Sequence, residues 1–290
     1  MPNHTIQIRP ADSVPREDLL NALNDAYADY FVPIHLSAEA FDAMIRRESV
    51  RLPASRVAVS GDQVVGMGLL AARGQRGWVG GMGVIPAYRR QGIGRQLMHA
   101  LIAAAESLGL AQLQLEVITQ NTGALQLYQT LGFETVRRLL VLNRKADTPA
   151  PVGRGAGGLR FGPIRPAAVL NALANLPAPE RPWQRQHAAT GEIPAGAAAA
   201  AYEPGKTAPA AVCLHRGSNA HRELLDIAAQ SPAIGAALLH HVLASHAEAA
   251  FSYLNVAEND PLLPALQEAG FSEMIDQYEM IRNLNGDPSS

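Results

Sequence analysis

The sequence predicts an α/β (α+β) chain in which one strand-and-helix pattern occurs twice in tandem. Three observations carry this. An apolar strand, Trp78 to Val84, runs into a glycine-bearing loop that opens directly onto a helix with apolar periodicity, Gly94 to Ser107. Before it, Arg56 to Val59 and Val64 to Leu70 flank a Gly61-Asp62 turn, the pattern of a hairpin. Finally, Gly92 to Ala103 aligns with Ala233 to Ala244, with five of twelve positions identical.

Taken in order, Ile6 to Ile8 forms a first strand. Pro15 to Tyr30 is helical through the spacing of Leu19, Leu20, Leu23 and Ala26, and a second helix starts at Ser37, a good N-cap, through Phe41, Met44 and Ile45. After the hairpin and the strand Trp78–Val84 come the loop and its helix. A strand over Leu113 to Ile118, a helix over Thr122 to Thr130 and a strand over Val136 to Leu142 complete the first half. Residues 146–158, rich in Pro, Gly and Ala without periodicity, read as a linker between a first domain of residues 1–145 and a second of residues 159–290.

The composition bounds the function. A hydrophobic content of 48% supports a real core, and 17% charged residues is low but ordinary for a globular chain. A net charge of −2 argues against a nucleic-acid partner, which calls for a basic excess. The single cysteine, Cys213, excludes an internal disulfide and a multi-cysteine metal site, and its apolar flanks suit a core position. The histidines of the second half have no matching carboxylate or cysteine arrangement, so no metal is expected. Neither a signal-peptide pattern nor an apolar stretch of about 18 residues is present, so a cytoplasmic location without membrane contact is the expectation.

The loop over Val84 to Arg95 carries the chemistry. A helix that begins at glycines aims several backbone N–H groups and the positive end of its dipole at one point, which suits a phosphate or pyrophosphate. Gly92 and Gly94 let the main chain approach without a Cβ in the way, and Arg89, Arg90 and Arg95 add charge. The spacing is neither the dinucleotide-binding GxGxxG nor the GxxxxGK[ST] of phosphate-binding NTPases.

Val-x-Pro-x-Tyr-Arg-Arg-x-Gly-x-Gly resembles the acetyl-CoA pyrophosphate loop of the GNAT N-acetyltransferase superfamily. A second match follows in Leu115-Glu116-Val117, Asn121, Ala124, Leu127-Tyr128 and Leu131-Gly132-Phe133. The resemblance implies a mixed, mostly antiparallel sheet flanked by helices, and transfer of an acetyl group directly from acetyl-CoA to a primary amine on a small molecule or a peptide N-terminus. It implies cofactor contacts from Arg89, Arg90, Gln91, Gly92, Ile93, Gly94 and Arg95, and main-chain hydrogen bonds from Met82, Gly83 and Val84 to the pantetheine arm. Tyr128 stands where the family places its general acid, although a tyrosine packed on the sheet fits the same position. In the ribosomal-protein alanine N-acetyltransferases, the Glu of a similar Leu-Glu-Val strand is the general base. The resemblance implies that role for Glu116, while alternation places it on the face opposite the leucines, in a cleft or in solvent. Asn121 is implied as a cofactor-ordering residue and fits equally well as the N-cap of the next helix. Acceptor specificity in this fold comes from the first two helices and their loop. There Asp25, Tyr27, Asp29 and Tyr30 form an acidic and aromatic cluster suited to a cationic amine, or simply a solvated helix face.

The repeat marks residues 159–290 as a second GNAT-like domain that has lost its chemistry. Ala233 replaces Gly92, Gln230 and Ser231 replace Arg89 and Arg90, Pro232 replaces Gln91, and Leu266 aligns with Tyr128. Proline removes a donor and the lost arginines remove charge. One working site is therefore expected, in the first half. The competing reading is a non-catalytic acyl-CoA-binding sensor or scaffold, and both a monomer and a homodimer remain open.

Overall fold

The computed structural model describes residues 5–149, 158–186 and 197–284, and residues 150–157 of the expected linker lie outside them. The chain divides into two compact units, Met1–Val136 with Tyr278–Ser290, and Arg137–Gln277.

In the first unit, β1 (Ile6–Pro10), β2 (Arg56–Ser60), β3 (Gln63–Arg73) and β4 (Arg76–Val84) form an antiparallel run, and β4 pairs in parallel with β5 (Gln112–Ile118). Alternation along the strands builds two cores. Val57, Val59, Met67 and Leu69 pack under α1 (Arg16–Tyr27) and α2 (Ala38–Arg47). Their sequence neighbours Ala58 and Leu70 point the other way, towards α3 (Ile93–Ser107), as expected where successive side chains alternate faces. Leu113, Leu115 and Val117 of β5 join that second layer with α3 and α4 (Thr122–Thr130). The Ser37 hydroxyl caps α2 by accepting the Ala40 N–H at 3.2 Å.

The strand β6 (Glu134–Arg144) forms where the sequence places it, but its partner differs from the expectation of a last strand for the first half. Residues 139–144 pair antiparallel with β11 (Ala250–Ala257) of the second unit. The place beside β5 goes to the end of β12 (Ser272–Asn283), whose residues from Tyr278 onward belong to the first unit. Met280 is buried in the α3/α4 core, and the Leu284 N–H bonds the Ala111 carbonyl at 2.9 Å. Each unit thus takes a closing strand from the other half of the sequence.

The second unit repeats the plan. β7 (Arg160–Pro163), β8 (Ala197–Tyr202), β9 (Ala211–Gly217) and β10 (His221–Ala229) are antiparallel, and β10 pairs in parallel with β11. Also in this unit are α5 (Pro166–Asn175), α6 (Pro232–Ser245) and α7 (Leu263–Glu268). Cys213 on β9 is fully buried in this core, and burial pushes its thiol pKa up. Among the described residues, no group of three or more His, Cys, Asp or Glu is placed to hold a metal. None of their helices is long and apolar enough to cross a membrane.

Candidate active site

The site grows from a break in the sheet. The parallel ladder between β4 and β5 runs from Arg76–Gln112 to Val79–Leu115 and stops, although β4 continues to Val84 and β5 to Ile118. The cause lies in β4. Its register with β3 slips by one residue between Met67–Gly83 and Leu69–Gly80, a bulge at Gly81-Met82 where Gly81 takes a left-handed φ of 58°. The bulge re-aims the end of β4, and a cleft opens between the two parallel strands.

At the mouth of that cleft the chain turns through Ile85 to Gly92 into α3. Arg90 and Gly92 both have positive φ, 64° and 77°, which turns successive N–H groups inward. Gly92 is the N-cap of α3 and no side chain caps this end. The first-turn N–H groups of Ile93, Gly94 and Arg95 therefore remain available to a ligand. A β-carbon at Gly92 would meet nothing within 4 Å, and one at Gly94 would meet only Leu127 at 3.6 Å and Met82 at 3.7 Å. Packing does not demand a glycine at position 94; the space it leaves is space for something outside the chain. Arg90, Gln91 and Arg95 are exposed around it, with Arg95 donating to the Thr130 hydroxyl at 3.1 Å. These residues fit a pyrophosphate.

Arg89 does something different from its neighbours. Its guanidinium is bidentate to Asp29 at 2.7 Å on both arms, and it also bonds the carbonyls of Ala26 (3.0 Å) and Val84 (2.9 Å). The pair holds the Asp29 carboxyl below its usual pKa range, first through the hydrogen bond. Arg89 and Asp29 were read from the sequence as cofactor-side and acceptor-side residues, and the structure brings them together. Arg89 fixes the loop to the end of α1.

Three phenols gather at the cleft. The Tyr27 hydroxyl donates to the Met82 carbonyl at 3.1 Å, and its ring meets Tyr30 edge-on at a centroid distance of 4.9 Å. Tyr30 accepts from the Asn121 amide at 3.3 Å, while the Asn121 carbonyl oxygen caps α4 through the Ala124 N–H at 3.2 Å. The second of these is the N-cap contact that the sequence offered as one of its two readings of Asn121. Tyr128 is buried on α4, its ring tilted against Phe133 at 6.0 Å. Burial raises the Tyr128 pKa first and Tyr30 adds to it; Tyr27 is raised by burial, then by Tyr30 and Tyr128. All three stay protonated at neutral pH. Among the described residues no protein group hydrogen-bonds the Tyr128 hydroxyl. Asp25 is exposed on α1.

Glu116 follows directly on Leu115, the last β5 residue paired to β4. It shares a face with Gln114, opposite the leucines, and its carboxylate accepts the Trp78 indole N–H at 2.7 Å. The Trp78 ring lies over Gly80, where a β-carbon would overlap it. Gly80→Ala is expected to cost about 1–3 kcal/mol through overpacking, read as a lower urea midpoint.

The second unit shows the same break without the same loop. β10 pairs with β11 only from His221–Ala250 to Leu224–Tyr253, and a register shift with β9 follows at once, between Leu224 and Asp226. Between β10 and α6, however, stand two residues, Gln230 and Ser231, where the first unit has eight, Ile85 to Gly92. The Ser231 hydroxyl accepts the Ile234 N–H and Pro232 opens the helix, so this helix start is occupied by its own side chain. Buried Asp226 binds Arg185 at 2.8 Å and also Arg181, and Arg185 lies over the Tyr253 ring. The point-by-point alignment of the two strings missed this deletion, because similarity resumes at the helix.

Comparison with known proteins agrees with this geometry. A family model described as Acetyltransferase (GNAT) family matches residues 17–133. The [Ribosomal protein bS18]-alanine N-acetyltransferase of Escherichia coli K12 is 49% identical over 57 residues, which are 19% of this chain and 38% of that protein; its Salmonella typhimurium counterpart is 44% identical over the same length. The match thus spans well under half of these curated relatives. A GCN5-related N-acetyltransferase from Sphaerobacter thermophilus shares the fold with a TM-score of 0.74 at 17% identity, over 97% of this chain and 96% of that one. A tandem GNAT protein from the clavulanic acid biosynthesis pathway gives 0.71 at 17% identity, over 98% of this chain and all of the other. Residues 17–133 thus match the GNAT acetyltransferase family model, and the chain as a whole shares the fold of a tandem GNAT protein.

Proposed function

We propose that the protein is an acetyl-CoA-dependent N-acetyltransferase with one active site per chain, in the first unit, acting on a primary amine by direct transfer. The observation that carries this reading is the uncapped, glycine-lined start of α3 at the mouth of the β4–β5 cleft, beside the buried phenol of Tyr128. The N–H groups of Ile93, Gly94 and Arg95, with the side chains of Arg90, Gln91 and Arg95, hold the pyrophosphate, and Arg89 keeps the loop in place through Asp29. The carbonyls of Met82 and Val84 are engaged by Tyr27 and Arg89, so hydrogen bonding to the pantetheine arm falls to the other main-chain groups of residues 82–84. Asn121 orders the chain beside that arm.

Acetyl-CoA supplies an activated thioester. Glu116 accepts the proton that the amine nitrogen sheds as its bond to the acetyl carbon forms. Tyr128 gives a proton to the departing sulfur as the carbon–sulfur bond breaks, and is reprotonated through solvent from Glu116. Water exclusion by Phe133 and the α4 face keeps the Tyr128 phenol neutral and ready to donate. Asp25, Tyr27 and Tyr30 line the acceptor side and favour a cationic amine. The second unit, with its helix start capped by Ser231, binds no CoA.

Calorimetry with acetyl-CoA is expected to give one site per chain. Release of CoA thiol should follow addition of a peptide with N-terminal alanine, the acceptor named for the bacterial relatives, or of a member of a panel of small primary amines. Two sites would sink the assignment of the second unit. Binding without transfer to any amine would favour the sensor.

A further inference from the structure

We propose that Trp78 is a positioning residue for this transfer: its indole N–H fixes the Glu116 carboxylate at the point where β4 and β5 part, and position 80 is glycine so that the ring can lie there. The proposal rests on the reading of Glu116 as the proton acceptor.

The geometry is specific to these three residues. Trp78 lies in the last stretch where β4 and β5 still pair, opposite Gln114. Its ring therefore stands on the rigid side of the split, while Glu116 stands one residue past the last paired position. Past Leu115 the β5 backbone keeps its β12 neighbour but has lost β4, and a glutamate side chain has three rotatable bonds to fix. The 2.7 Å bond from Trp78 supplies a hold from the neighbouring strand. Trp78 is 7% exposed, so its own rotamer is fixed by packing. Gly80, next on the same face of β4, leaves the ring room that a β-carbon there would take.

The same face arranges further polar groups in step. Arg76 on β4 donates to the Gln114 carbonyl oxygen at 2.8 Å, and the Gln114 amide donates to Glu279 on β12 at 3.3 Å. Gln114, two residues before Glu116 on the same face, thus links a cation, Arg76, to an anion, Glu279, across the strands. An N–H donor to a carboxylate favours the ionised form, so Trp78 also keeps Glu116 able to accept a proton at lower pH. Removing the indole takes away a donor to the ionised carboxylate and should move the acid limb of the rate profile upward.

The test uses the full chain, acetyl-CoA and an alanine-initiated peptide, or whichever amine the panel identifies. Trp78→Phe is expected to lower kcat about tenfold. Acetyl-CoA affinity should stay within about twofold, and the acid limb should move up by about one pH unit. Glu116→Gln should lose transfer more completely. Unchanged kcat and acid limb in Trp78→Phe, beside an inactive Glu116→Gln, would overturn the proposal and leave the acyltransferase reading standing. A fully active Glu116→Gln would instead remove the base assignment on which the proposal depends.

If Trp78→Phe does not fold, emission decides. The chain has two tryptophans, Trp78 and Trp183, and only a tryptophan bonded to Glu116 should report that carboxyl's titration. A pH transition in wild-type fluorescence that follows the acid limb and vanishes in Glu116→Gln supports the positioning role. Emission that is flat with pH, or unchanged by Glu116→Gln, defeats it.

Discussion

Gly94→Glu is expected to weaken acetyl-CoA binding at least about a hundredfold while the protein melts no earlier than the parent. The two halves of that result have separate physical causes. A carboxylate placed in the first turn of α3 meets the pyrophosphate, and like charges set together cost several kcal/mol, against about 1.4 kcal/mol per tenfold in affinity. The same carboxylate sits well at a helix N-terminus, worth about 0.3–1 kcal/mol, and any side chain there relieves the entropic cost of a glycine in a helix. Position 94 has ordinary room for a β-carbon, so nothing must shift. Gly92→Glu lacks this separation: at a φ of 77° the new side chain carries a left-handed penalty of about 1–2 kcal/mol. A thermal melt beside a calorimetric titration checks both halves. Retained affinity in a folded Gly94→Glu would show that the start of α3 holds no pyrophosphate.

Tyr128→Phe should lower kcat by roughly 10²–10³ with acetyl-CoA affinity and stability nearly unchanged. The prediction is sharp because the hydroxyl serves no visible structural purpose: the ring packs in the α3/α4 core, while no protein group among the described residues bonds the oxygen. Its removal leaves no orphaned partner. A phenol kept neutral by burial and by Tyr30 has a proton to give, and the departing thiolate is the group that needs one. Single-turnover measurements separate the chemical step from product release. An unaltered rate would return Tyr128 to the role of a core residue.

Much of the first unit was legible because its signals are local. The α2 cap at Ser37, the strand–loop–helix at Val84 to Arg95 and the second helix–strand pair each depend on neighbours within a few residues. What stayed hidden depends on contacts far apart in sequence. Arg89 and Asp29 are 60 residues apart, and an arginine in a phosphate-binding string looks the same whether it meets phosphate or a carboxylate. The Trp78–Glu116 bond spans 38 residues, and no local pattern in the sequence announces it. The strand exchange was invisible for a different reason. Val136 to Leu142 has the composition of a strand in either unit, and alternation specifies a face, not a partner.

That exchange has a consequence for how the protein comes into being. During synthesis the chain emerges at about 5–20 residues per second, and residues 278–283 follow the α4 segment on the order of ten seconds later. Until then the first unit lacks the strand beside β5, the strand that carries Glu116, and that sheet edge stands open to any passing partner. A ribosome that stops early therefore releases the loop before α3 and Glu116 without the strand that closes their sheet. Nascent chains would gain from a chaperone in this interval, and a gene cut at the apparent linker would encode two fragments, neither of which holds its own complete sheet.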